Sequence, residues 1–176
     1  MRRTVGLDEA LRKKREEVCI SHMVAENAHE FDEAIGFFHR PRYEIVATGE
    51  VYDGGSEVGR LMQENVTAFP DFRYDFERVH HADEAIVVEG TFTGTHEGTW
   101  RGLPATGRRV EFPMLIVFPF DGEAMMGERI FFDLSTALRQ LGVARDPNTP
   151  AGKIATVINH PVTIGKALVR KLRRRG

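Results

Sequence analysis

From Phe72 onward the apolar residues recur at every second position, and this constrains the chain more than any other feature. Four strands are predicted, at 72–81, 85–97, 108–120 and 124–134. The joins read as turns: Ala82-Asp83-Glu84, a longer loop containing Gly102 and Gly107, and Asp121-Gly122, a strong hairpin signal. Before Phe72 the period is helical. Asp8 can cap a helix whose one face carries Leu7, Leu11, Val18, His22, Ala25 and His29. Asn27 breaks it, and a second short helix covers 28–37, ahead of Pro41. Residues 43–52 read as a strand interrupted at Gly49, and Asp53-Gly54-Gly55 as a turn. Ser56 then caps a helix running to Ala68 with Val58, Leu61, Met62, Asn65 and Val66 along it, and Pro70-Asp71 stops it. A helix over 135–142 closes the body.

Helices followed by a meander of long strands define an α+β domain. The expected architecture is a cone-shaped, curved antiparallel sheet wrapped over the N-terminal helices and enclosing an apolar pocket. The expected division is a domain over 1–144 and a linker with a basic amphipathic tail over 145–176. Pro147, Asn148, Pro150 and Gly152 mark 145–160 as linker. Residues 162–172 place Ile164, Ala167, Leu168 and Leu172 on one helical side.

Composition bounds the function. The chain has 176 residues, enough for one domain and a short extension, and the hydrophobic share of 41% supports a sizeable core. The formal charge is −2, but six of the 24 basic residues lie in 166–176 with no acid, which leaves residues 1–165 at −8. An acidic body makes no electrostatic case for nucleic acid, and the short basic run lacks aromatic stacking partners. The tail is expected to dock on its own acidic body or to fray, ahead of any contact with an anionic membrane. One cysteine, Cys19, rules out an internal disulfide and suits a reducing compartment. No stretch resembles a signal peptide or a membrane span, so a cytoplasmic protein is expected.

Several known chemistries are missing. There is no phosphate-cradling glycine loop with Lys-Ser/Thr, no Gly-x-Gly-x-x-Gly and no Gly-x-Ser-x-Gly elbow. His80 and His81 are adjacent on a strand and point to opposite faces, so they do not share a metal easily. A site without metal or cofactor is expected.

Alternation assigns the candidate site residues. Ile86, Val88, Phe92 and His96 share one face of their strand, and Val110, Phe112, Met114, Ile116, Phe118 and Phe120 form the apolar face of the next. These faces are expected to line the cone, with Phe92, Phe112 and Met114 touching substrate. His96 is then a polar group at the end of an apolar row. It is either a proton shuttle or a rim histidine bonded to a loop. On the last strand, alternation groups Asp133 with Phe131 and Arg129, and Glu128 with Ile130 and Phe132. A bulge would bring Glu128 and Asp133 to one side. Trp100 and Tyr43 are candidates to flank a flat ligand.

A more specific likeness runs from Phe69 to Gly142. Phe69-Pro70-Asp71-Phe72 ends the third helix, and Gly94-Thr95-His96-Glu97-Gly98 ends a long strand. Gly102-Leu103-Pro104-Ala105-Thr106-Gly107-Arg108 forms the following loop, Phe120-Asp121-Gly122 the last hairpin and Gln140-Leu141-Gly142 the close. Their order and spacing resemble SnoaL-like polyketide cyclases of the nuclear transport factor 2-like (cystatin-like) superfamily, over roughly residues 10–144. The resemblance puts Asp133 at the position of the family's catalytic acid/base aspartate. Asp133 can also be read as the N-cap of the closing helix. The implied activity is a cofactor-free, acid/base-catalysed aldol-type ring closure of a polyketide-like molecule, with Asp133 and His96 as the catalytic pair and Glu128 in the pocket. The same scaffold also carries other small-molecule enzymes, among them hydrolases, isomerases and hydroxylases, and non-enzymatic binding or dimerisation modules. A homodimer is expected through an outer sheet face bearing Glu89, Thr91, Leu115 and Val117.

Overall fold

The computed structural model describes residues 8–173. Leu7, Arg174 and Arg175 lie outside them. Asp8 caps helix α1 (Glu9–Asn27) by accepting from the Ala10 N–H. The face that α1 buries carries Arg15, Cys19, His22, Met23 and Ala25. At its end the Asn27 side chain donates to the Tyr74 carbonyl at 2.9 Å and accepts from the Tyr74 N–H at 2.8 Å. One amide thereby satisfies both backbone polar groups of Tyr74 in the edge strand and ties helix to sheet. Helix α2 (Phe31–Gly36) follows. Helix α3 (Gly55–Ala68) starts one residue before Ser56, is capped by Gly54, and buries Val58, Leu61, Met62 and Ala68.

The expected strand over 43–52 is a hairpin. Strands β1 (Arg42–Ile45) and β2 (Glu50–Asp53) pair antiparallel, Tyr43 opposite Tyr52, with Gly49 at φ 76° in the turn. The long strands are β3 (Arg73–Ala82), β4 (Ala85–Thr95) and β5 (Arg109–Asp121). The last expected strand is split into β6 (Ala124–Met125) and β7 (Glu128–Phe132). Gly127 makes the break at φ 149°, and a Cβ there would sit 2.2 Å from the Arg42 carbonyl oxygen. Only glycine lets β7 enter so close to β1.

The sheet order is β2-β1-β7-β5-β4-β3, with β6 hanging on β5. The sheet is curved and unclosed, and it is mixed rather than antiparallel throughout, because β1 runs parallel to β7. Gly90 in β4 is another position where a side chain is barred: the Tyr74 ring lies across it, and a Cβ would come within 2.4 Å of the Asp75 carbonyl oxygen and 2.8 Å of that ring. The Tyr74 hydroxyl reaches over to the carbonyls of Val88 and Met114 at 3.0 and 3.1 Å. Tyr74 thus spans three strands on the concave side.

Helix α4 (Leu134–Gln140) closes the body. The segment expected as a linker contains helix α5 (Pro150–Asn159). Thr149 caps it by accepting from the Gly152 N–H at 3.0 Å, and Pro150 occupies the first turn, where its missing N–H costs nothing. The proline that reads as a breaker is a helix starter. Helix α6 (Pro161–Arg173) follows. Among the described residues no helix is long and apolar enough to cross a membrane.

Two apolar clusters fill the concave side. The larger joins α1 and α3 to the sheet through Met23, Tyr43, Met62, Ile86, Val88 and Phe118. The smaller gathers Phe69, Phe72, Val110, Phe112, Ala137 and Leu141 near α4.

Candidate active site

Between these clusters lies a partly enclosed cavity of about 90 Å³, several times the room one water needs. Its wall is an aromatic ladder. Phe72, Phe92, Phe112 and Phe132 stack in sequence with centroids 6.0, 5.0 and 5.4 Å apart. The ladder follows from strand register, since Phe92 lies opposite Phe112 and Met114 opposite Phe132. Parallel-displaced rings present one flat apolar surface. Trp100 and Arg101 line another part of the cavity, Arg101 held by an ion pair with Glu50.

Some polar groups of the lining are already satisfied. Tyr74 and Asn27 spend their hydrogen bonds on the backbone as described. Two carboxylates remain, Glu26 from α1 and Glu128 from β7. Glu128 is 2% exposed, and its Oε2 has no hydrogen-bond partner. Its Oε1 lies 2.5 Å from Nε2 of His22, which is fully buried. Glu26 Oε2 and the Tyr43 hydroxyl each stand 3.3 Å from the same nitrogen. His22 Nδ1 donates to the Ala34 carbonyl at 2.9 Å. That bond fixes the Nδ1–H, so Nε2 is the nitrogen that gains and loses a proton toward the carboxylates.

The electrostatics follow from burial. Desolvation pushes the Glu128 pKa above the usual carboxylate range, and the neighbouring imidazole opposes it. For His22, burial alone would lower the pKa, but the charge and hydrogen bond of Glu128 outweigh it and raise it to about 10. The pair therefore holds a shared proton at neutral pH, leaving Oε2 of Glu128 as the free basic atom. His22, Glu26 and Glu128 are also the one group of three among the described residues whose metal-ligating atoms lie within 4.8 Å of one another. The 2.5 Å contact is a hydrogen-bond length, whereas two atoms each bound to one zinc ion at about 2.1 Å stand about 3 Å or more apart.

The expected site residues separate into three groups. Glu128, Phe92, Phe112, Met114 and Trp100 line the cavity. Tyr43 stands behind it, buried, with its hydroxyl on His22 rather than beside a ligand. His96 and Asp133 are not among the lining residues. His96 is buried and stacks on Phe69 at 5.1 Å, so Phe69 stands between it and the cavity. Its Nδ1 accepts from the Thr106 N–H at 3.3 Å, and desolvation lowers its pKa, so it stays neutral. Asp133 is exposed and caps α4, accepting from the Ser135 N–H at 2.9 Å, the Ser135 hydroxyl at 2.8 Å and the Thr136 hydroxyl at 2.6 Å. The hydroxyls of Thr136 and Ser135 hold its pKa down at about 2. No bulge intervenes in β7, so alternation sends Asp133 outward with Arg129, which pairs with Glu44 instead. The structure therefore does not bring His96 and Asp133 together at the cavity; the buried ionisable pair on its wall is Glu128 with His22. In the sequence His22 and Glu26 are visible only as an i, i+4 polar pair on α1.

The buried thiol of Cys19 is pushed up by desolvation and then by the charge of Glu128, which leaves it without nucleophilic character.

Solved structures share this architecture. AclR of Streptomyces galilaeus, named as a candidate hydroxylase, is 19% identical with a TM-score of 0.65, over 76% of this chain and 88% of that one. A candidate SnoaL-like polyketide cyclase from Jannaschia sp. CCS1 is 18% identical with a TM-score of 0.68, over 80% and 100% of the two chains. A Catenulispora acidiphila protein with a ketosteroid isomerase-like fold, solved with trimethylamine, is 16% identical with a TM-score of 0.62, over 72% and 93%. At these identities the likeness is one of fold. No curated protein matches the sequence. Residues 18–141 match the family model of the SnoaL-like polyketide cyclases, and the chain belongs to that family.

Proposed function

We propose that the chain is an acid/base enzyme of the cyclase type, with Glu128 as the proton-transfer group and His22 as its positioning partner. The observation that carries this reading is the Glu128 carboxylate, buried on the cavity wall with one oxygen on His22 and the other free. A substrate proton flanked by two carbonyls is already acidified by the substrate, so the protein needs only a shaped apolar pocket and one acid/base group. Glu128 Oε2 takes that proton, and the C–H pair becomes the enolate. The enolate carbon attacks a carbonyl carbon of the same molecule, closing a C–C bond. The displaced carbonyl pair forms an alkoxide, which takes the proton back from Glu128.

Charge supports the sequence of steps. When Glu128 is protonated beside imidazolium, the pair is net positive and faces the enolate, an interaction strengthened by the apolar surroundings. The Phe72–Phe132 ladder offers a flat surface to an unsaturated, planar product.

The test is turnover of an activated β-keto ester that carries an internal carbonyl. Glu128→Gln, checked for native circular dichroism, is expected to lose roughly 10²- to 10⁴-fold in kcat. Equal rates for the two proteins would remove Glu128 from the mechanism. Binding of the ester with no turnover by wild type would mark the chain as a binding module.

A further inference from the structure

Helices α5 and α6 pack chiefly on each other. Their surface differs from that of the body. Eleven large hydrophobic side chains are exposed among the described residues, and seven of them sit here: Ile154, Val157, Ile158, Val162, Leu168, Val169 and Leu172. Ile158 and Leu172 are 70% and 71% exposed. An apolar patch this dense on two short helices marks a contact surface rather than scattered exposure.

The charge around the patch identifies what it contacts. Residues 147–176 hold seven basic residues and no acid. On α6, Ile164, Leu168, Leu172, Val162 and Val169 share one side at helical spacing. Lys166, Arg170 and Arg173 border that side on one flank, and Lys171 lies on the other. None of these four cations is in an ion pair among the described residues, whereas Arg40, Arg60 and Arg129 on the body each are. A narrow apolar face edged by unpaired cations matches the interface of an anionic bilayer: the apolar side enters the acyl boundary while the cations meet headgroup phosphates and carboxylates. A second copy of the same helix pair would bring like charge against like charge, and such a contact lacks this complementarity.

We infer that α5 and α6 form a peripheral attachment site for anionic lipid surfaces. The site lies apart from the cavity, and it holds whether or not the acid/base reading of Glu128 does. The apolar side is about three turns long and carries no aromatic anchor, so attachment is reversible and salt-sensitive.

The experiment is co-sedimentation of the full chain with large unilamellar vesicles of phosphatidylcholine containing about 30 mol % phosphatidylserine, against phosphatidylcholine alone. The expected result is binding to the anionic vesicles only, declining as salt rises from about 0.05 to about 0.5 M. Lys166→Gln with Arg170→Gln should weaken partitioning about 30-fold, the worth of two surface cations. Leu168→Ser with Leu172→Ser should weaken it at least as much. These four side chains are exposed, so circular dichroism should not change. Absence of wild-type binding to anionic vesicles overturns the inference. So does binding that survives the leucine substitutions, or tail-dependent self-association by light scattering with no vesicle binding.

Discussion

Tyr43 and Glu128 are opposite one another in the parallel pairing of β1 with β7, and both side chains turn inward onto His22. The acid/base group is therefore held by three elements, α1, β1 and β7, and cannot relax toward solvent when one partner is removed. Glu128→Ala leaves the buried imidazolium with Glu26 alone as counter-charge and should destabilise the fold by up to about 3–5 kcal/mol. Glu128→Gln keeps a hydrogen-bonding oxygen near Nε2 and should cost clearly less. Chemical denaturation of the two variants at neutral pH measures the difference, and equal losses would mean that the charge of the pair contributes nothing.

Stability should also report the pair through pH. The His22 pKa rises from about 6.5 in the unfolded chain to about 10 in the fold. Between these values the folded state binds the extra proton, so stability falls as pH rises. The contribution is complete below pH about 6.5 and gone above about 10. The melting temperature is expected to decline across that window, and His22→Asn should flatten the decline. A wild-type profile flat from neutral pH to 10 would show that His22 is not charged in the fold.

Asp133 contributes as a helix cap. Its carboxylate satisfies the first turn of α4 from an exposed position. Asp133→Ala removes that cap and should lower the melting temperature without changing the fold. Asp133→Asn should leave β-keto ester turnover at the wild-type rate. A loss of kcat in Asp133→Asn with the fold intact would return this residue to the mechanism.

These results show which parts of the molecule the sequence makes visible. Alternation along β4 and β5 is a local property, and it correctly sets Ile86, Val88, Val110, Ile116 and Phe118 inside. The same alternation on β7 separates Glu128, which lines the cavity, from Asp133, which the family position favoured and which faces solvent. The parallel meeting of β1 and β7 was not legible, because nothing near Tyr43 encodes a partner at Glu128, 85 positions away. Nor was the link from His22 to Glu128, which spans 106 positions and depends on how α1 lies across the sheet. In α5 the signal is local but double: Pro150 alone reads as a breaker, and with the capping oxygen of Thr149 beside it as a helix start.

The outer face of the sheet carries a cross-strand apolar patch. Val87 faces Val117, Glu89 faces Leu115, and Leu115 faces Phe131 across neighbouring strands. All five side chains are only partly buried in the isolated chain. A cross-strand patch of this kind, apolar at its centre and edged by Glu89, Thr91 and Arg129, suits a self-complementary twofold contact. Light scattering at micromolar concentration is expected to give twice the chain mass. Leu115→Lys is the informative variant. The new ammonium stands opposite Glu89 within the same sheet, so the fold gains a cross-strand pair while the apolar centre of the contact is lost. The variant should remain folded and run as a monomer. A monomeric wild type, or a Leu115→Lys protein that still dimerises, would place the contact elsewhere or remove it.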